Sequence, residues 1–143
     1  MALKAATLKW TQVGDVLIVC STSGTMPEQG YDQLMKAAQS APIKKMIALN
    51  AGTTEVNSVQ RKQAAELNKA KGLNCAVVTD DRLVRGIVTA VSWLGGNLKP
   101  FSWSNLRDAV RYLKVSPNVE EEIVNRCLRL KDECLGEATR TGA

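Results

Sequence analysis

At 143 residues, with 45% hydrophobic and 23% charged side chains, the chain has the proportions of one soluble globular domain large enough to bury a core. A formal net charge of +5 permits an anionic partner. The basic residues are scattered, however, and with three Trp, two Tyr and one Phe there is little aromatic surface to interleave with them, which argues against nucleic-acid binding. Histidine is absent, and Cys20, Cys75, Cys127 and Cys134 form no Cys-x-x-Cys pair, so the expectation is four reduced thiols with no metal and no cofactor. No charged segment followed by an apolar run precedes Thr7, and no apolar run approaches the ~20 residues of a membrane span, so a cytoplasmic protein without integral membrane association is expected.

Taken in order, Thr7 to Val13 alternates apolar and polar residues like a half-exposed strand. Gly14-Asp15 turns the chain into Val16-Leu17-Ile18-Val19-Cys20, a continuous apolar run that reads as the interior partner of a hairpin. Thr25-Met26-Pro27-Glu28 has the spacing of a capping box, and Tyr31, Leu34, Met35 and Ala38 follow as a helical stripe that Pro42 ends. Met46 to Leu49 is apolar at every position, as in a central strand. After the polar loop Asn50 to Thr54, Asn57 or Ser58 starts a helix over Val59 to Lys71. Its apolar face is thin, so it should lie half exposed.

Cys75-Ala76-Val77-Val78 is again an interior strand, and Thr79-Asp80-Asp81 supplies a carboxylate cap for a helix carrying Leu83, Ile87, Ala90, Val91 and Leu94 up to Gly95-Gly96. Asn97 to Trp103 forms one further strand, placed at an edge because Pro100 lacks a ladder donor. Ser104 or Asn105 caps a helix with Leu106, Val110 and Leu113. Ser116-Pro117 then opens a last amphipathic helix of about five turns, with Glu120-Glu121-Glu122 in its first turn and basic residues later. Ala138 to Ala143 is small and polar, and reads as a disordered tail.

The order is β-β-α-β-α-β-α-β-α with a final helix appended: an α/β fold with a mixed sheet of about five strands packed with helices. Together with Gly14-Asp15-Val16-Leu17-Ile18-Val19, Gln60-Arg61-Lys62, Val77-Val78-Thr79-Asp80, Val84-Arg85-Gly86-Ile87-Val88-Thr89-Ala90, Ser92-Trp93 and Phe101-Ser102, that order resembles the STAS domain of bacterial anti-sigma-factor antagonists and its STAS/SEC14-like relatives. The resemblance spans about Leu8 to Val115, which divides the chain into a STAS-like domain (1–115) and a helical extension (116–143). It implies a regulatory or scaffolding module without enzymatic activity. In the antagonists a serine at the start of the second helix is phosphorylated. The matching positions here are Ser58 and, before it, Thr54, although Asn57-Ser58-Val59-Gln60 stands where the antagonists carry Asp-Ser-Ser-Gly-Leu.

Three groups of residues carry functional expectations. The loops after the central strands bring Gly52, Thr53, Thr54, Asn57, Ser58, Arg61, Arg82 and Arg85 to one sheet edge, where open α/β sheets bind ligands. An anion or nucleotide there, or a lipid-like molecule as the resemblance to SEC14-like proteins implies, is the alternative function. Arg85, on an otherwise apolar helix, either contributes there or pairs with Asp80, Asp81 or Glu55. On the last helix Val119, Ile123, Val124, Cys127, Leu128, Leu130, Cys134 and Leu135 form a stripe too apolar to leave in water. It either folds back on its own domain or docks a protein partner or a second copy of the chain. No base or activated nucleophile stands out, so catalysis is not expected.

Overall fold

The computed structural model describes residues 4–92 and 97–141. Trp93, Leu94 and the helix-ending Gly95-Gly96 lie outside them. Within the described residues the chain is a mixed α/β fold. Strands β1 (Leu8–Val13), β2 (Val16–Ser21), β4 (Lys45–Asn50), β6 (Asn74–Val78) and β7 (Leu98–Phe101) form one sheet in the order β1-β2-β4-β6-β7. β1 is antiparallel to β2, and the other pairs are parallel. The two-residue loop between Val13 and Val16 needs a positive φ, which Gly14 supplies at +59°. Pro100 sits on the outer strand, where its missing donor breaks no inner ladder. Two short strands, β3 (Gly24–Thr25) and β5 (Thr54–Glu55), pair separately beyond the main sheet.

All six residues of β2 are buried, and their alternation divides the interior in two. Leu17 and Val19 pack with Leu34 and Ala38 of α1 (Glu28–Ala38) and Leu67 of α2 (Ser58–Lys71). Val16, Ile18 and Cys20 face the opposite side, against α4 (Leu106–Tyr112) and α5 (Pro117–Thr141). The remaining helix, α3 (Arg82–Ser92), packs against β7. No helix among the described residues is long and apolar enough to cross a membrane.

Two expectations need correction. The Thr25–Glu28 capping box does not form: α1 begins after Pro27 without a side-chain cap, because Thr25 is held in the β3–β5 pair and its N–H donates to Lys4 O at 2.8 Å. The segment expected to be a disordered tail is helical through Thr141, and Ala138 is buried. At ~1.5 Å per residue α5 is about 37 Å long. α5 packs into the main core. Ile123, Val124, Cys127, Leu130 and Cys134 share one buried cluster with Ile18, Cys20, Ile47, Leu49 and Val78, so residues 116–141 complete the core that residues 8–115 begin.

Candidate functional site

Parallel strands β4 and β6 end at the same sheet edge, and each is followed by a helix whose start is fixed by its own side chains. Asn57 Oδ1 accepts the Gln60 N–H at 2.8 Å while Gln60 Oε1 accepts the Asn57 N–H at 3.1 Å, a reciprocal cap for α2. Gln60 is buried, and its Nε2 donates to Met26 O at 3.4 Å. The Tyr31 hydroxyl donates to Gln60 O at 2.7 Å, so α1 clamps the first turn of α2. At the start of α3, Asp81 Oδ1 accepts the Leu83 N–H at 2.9 Å and the Val84 N–H at 3.4 Å, as a helix-capping carboxylate does. Thr53 Oγ1 donates to Asp81 Oδ2 at 3.1 Å and ties the two loops together.

Beside these loops lies an open cleft of about 360 Å³ lined by Asn50, Ala51, Gly52, Thr53, Thr79, Asp80, Asp81, Trp103 and Lys131. Trp103 is fixed twice: its backbone N–H donates to Asp80 Oδ1 at 3.0 Å and its indole N–H to Asn50 O at 2.8 Å. The Lys131 ammonium, arriving from α5, sits 4.1 Å from the centroid of the Trp103 ring in a cation–π contact. Two carboxylates and a single ammonium line the walls. That charge balance does not suit an anion.

Of the residues expected to form a ligand site, only Gly52 and Thr53 line the cleft. Gly52 serves the chain's own packing: a Cβ there would meet Ser23 Oγ and lie 2.8 Å from Ser23 N. The Thr54 hydroxyl is half-buried and donates to Thr22 O at 2.6 Å, so a phosphate on it would break that bond. Ser58 is exposed as the first residue of α2. Asn57 is the cap, and Arg61 donates from Nη1 to Val56 O at 2.9 Å. Arg82 is exposed and Arg85 half-buried. Among the described residues Arg85 has no ion pair, and the expected pairing with Asp80, Asp81 or Glu55 does not occur.

The α5 stripe is brought together, but largely inside the molecule. Ile123, Val124, Cys127, Leu130 and Cys134 are buried in the chain's own core and have no surface to offer a partner; Val119 is half-buried against them. Leu128 and Leu135, 45% and 38% exposed, remain on the outside. The two most exposed large aliphatics lie elsewhere: Val59 at 65% and Leu83 at 73%, in the first turns of α2 and α3, with Ile87 at 43% one turn beyond Leu83. The thin apolar face of α2 and the long stripe on α3 were the signals for these exposed positions.

The thiols behave as core groups. Burial pushes Cys75 and Cys127 each up to about 12 from the ordinary 9.0, which leaves them neutral and unreactive. Cys20 is raised by its hydrogen bond with Cys134 and by burial, while the same bond lowers Cys134. Among the described residues no group of three or more Cys, Asp or Glu could hold a metal ion. Comparison with protein-family models, curated proteins and solved structures returns no match.

Proposed function

We propose that this chain is a STAS-like regulatory module that acts without catalysis, by holding another protein against the opening turns of α2 and α3. One observation carries this reading. The two most exposed large aliphatic side chains, Leu83 and Val59, lie in the first turns of the two helices that start at one sheet edge, whereas most of the stripe on α5 is consumed by the core. Resemblance to the antagonists supports it, because Ser58, the position matching their phosphorylated serine, is exposed beside Val59. A phosphate on Ser58 meets the free N–H groups at the start of α2 and places negative charge beside the apolar patch, which would change the partner held there.

The test is affinity capture from the native cell with the wild-type chain and with the L83E/I87E variant. Proteins retained by the wild type are expected to be lost from the variant, whose thermal melt stays unchanged. An identical captured set with both chains overturns the proposal, as does a variant that loses the capture only because it melts early.

The cleft at Trp103 favours a second function, small-ligand binding. Its carboxylates and its aromatic ring suit a cationic or neutral polar molecule better than an anion or nucleotide. A thermal-shift screen of polar metabolites against wild type and W103A checks it: a shift lost in W103A supports the cleft, and no shift in the wild type removes it.

A further inference from the structure

We infer that Cys20 and Cys134 form an oxidisable pair, two thiols that a hydroperoxide closes into an intramolecular disulfide tying the end of α5 to the inner strand β2. The pair is independent of any docking partner and follows from where the fold puts two residues that stand 114 positions apart in sequence. α5 lies across β1 and β2. Cys134 reaches the sheet near the end of β2, where its Sγ is 3.5 Å from Cys20 O and 3.5 Å from Thr7 O. Cys20 and Cys134 share one buried cluster, and their thiols hydrogen-bond to each other. Both are free thiols.

The other two cysteines are set apart. Cys75 stands on β6, with β4 between it and β2. Cys127 belongs to the same cluster as the pair, but burial pushes it up to about 12, so it holds its proton. The bond from Cys20 acts the other way on Cys134 and lowers it from the ordinary 9.0, which makes Cys134 the first of the pair to ionise. That fixes the order of the chemistry. The Cys134 thiolate attacks one oxygen of hydrogen peroxide: an S–O bond forms, the O–O bond breaks, and the departing oxygen leaves as water with the proton Cys134 gave up. The Cys20 sulfur then attacks the sulfenic sulfur; the S–S bond forms, the S–O bond breaks, and hydroxide leaves with the Cys20 proton as a second water. Two thiols are oxidised to one disulfide while the peroxide is reduced to two waters.

Neither side chain meets solvent in the closed fold, so oxidation follows an opening of the end of α5. Two turns follow Cys134 before α5 ends at Thr141. Among the contacts that hold them are Lys4 Nζ on Ala138 O at 3.4 Å and the Lys9–Glu137 pair at 3.8 Å, the latter between partly exposed side chains. Terminal turns anchored in this way open far more often than the whole domain unfolds. Reclosure returns an oxidised Cys134 to Cys20, so the fold selects the partner. A bond across so long a loop restricts the unfolded chain and holds α5 on the sheet.

The experiment treats the folded full chain with hydrogen peroxide, blocks the remaining thiols with iodoacetamide and maps linked peptides by mass spectrometry without reduction, for wild type, C20S, C134S and C127S. The expected product is a monomeric chain linked from Cys20 to Cys134, with a thermal midpoint raised by about 5 °C or more and restored by dithiothreitol. C127S should form the same link, C134S should form none, and C20S should keep a sulfenic acid on Cys134 that dimedone traps. Circular dichroism melts check that each variant folds, and the wild-type map decides the pairing where one does not. A link from Cys75 or Cys127 in its place, links between chains only, or no link while the fold is intact overturns the inference. So does a Cys20–Cys134 link that forms only in denaturing urea, or one that leaves the thermal midpoint unchanged, since such a bond pins nothing.

Discussion

The two helical layers of this protein use similar residues to opposite ends. α5 presents a long apolar stripe, and Ile123, Cys127, Leu130 and Cys134 are buried in the core that includes β2, with Arg107, Arg111 and Arg126 paired to Glu121, Glu120 and Glu122. α3 also carries an apolar stripe, yet Leu83 and Ile87 stay in solvent, and among the described residues Arg82 and Arg85 form no ion pair. An amphipathic pattern therefore marks a face that will be covered without saying by what. In α5 the cover is the chain itself; on α3 Leu83 and Ile87 remain exposed, and the proposed function assigns their cover to another protein.

The strongest way to break this contrast is to remove each cover. Deleting residues 117–141 uncovers Ile18, Cys20 and Leu49 on one face of the sheet, and the product is expected to lose its cooperative urea transition. A truncated chain that stays a folded monomer would show that α5 is an appendage after all. A milder cut is Ile123→Ala, expected to cost about 2–5 kcal/mol by urea denaturation because the emptied site lies among close-packed neighbours.

Titration sharpens the same difference. Cys127 under α5, Cys75 in β6 and Tyr31 under α2 are each pushed by burial up to about 12, from ordinary values of 9.0 for the thiols and 10.0 for the phenol. A raised folded value means the unfolded chain releases its protons first. The stabilisation from burying the neutral forms is thus complete below about pH 9 and is lost as pH climbs toward about 12. Urea midpoints should be level from neutrality to about pH 9 and decline above it, and Cys127→Ala should shallow that decline. Equal slopes for the variant and the parent would mean that Cys127 is not the buried thiol described here.

Smaller effects are expected at the proposed docking surface. Asn57→Ala removes the reciprocal cap and should cost about 1 kcal/mol, with faster amide exchange confined to the first turn of α2. Leu83→Ala and Ile87→Ala, by contrast, should change stability by no more than about 0.5 kcal/mol, since both side chains already lie in solvent. A loss approaching that of Ile123→Ala would place the α3 stripe in the core and end the comparison.

Much of the frame was legible in the residues. The unbroken apolar runs of β2, β4 and β6 marked the inner strands, Pro100 marked the edge, and Asp81 was a recognisable cap. What periodicity could not say was the direction in which the α5 stripe faced, because a 3.6-residue repeat reports burial and carries no information on the partner. Thr25 misled for a related reason. Its spacing to Glu28 fits a capping box, but a strand pairing with Thr54 and Glu55, remote in sequence, claimed its backbone. The cleft was the least legible feature: Lys131 reaches Trp103 only because α5 folds back across the sheet, and no local motif joins them. Arg85 read as either a ligand contact or a partner for nearby carboxylates; of these, Asp81 is taken up by helix N–H groups and Thr53, and Asp80 by Trp103.

Photo-crosslinking in the native cell tests the division of labour between the two layers most directly. A benzophenone amino acid is placed singly at Leu83, Ile87, Leu128 or Leu135, all exposed and therefore tolerant of replacement. Protein adducts are expected from positions 83 and 87 and not from 128 or 135. Adducts from 128 and 135 alone would contradict it, moving the binding surface to the outer side of α5.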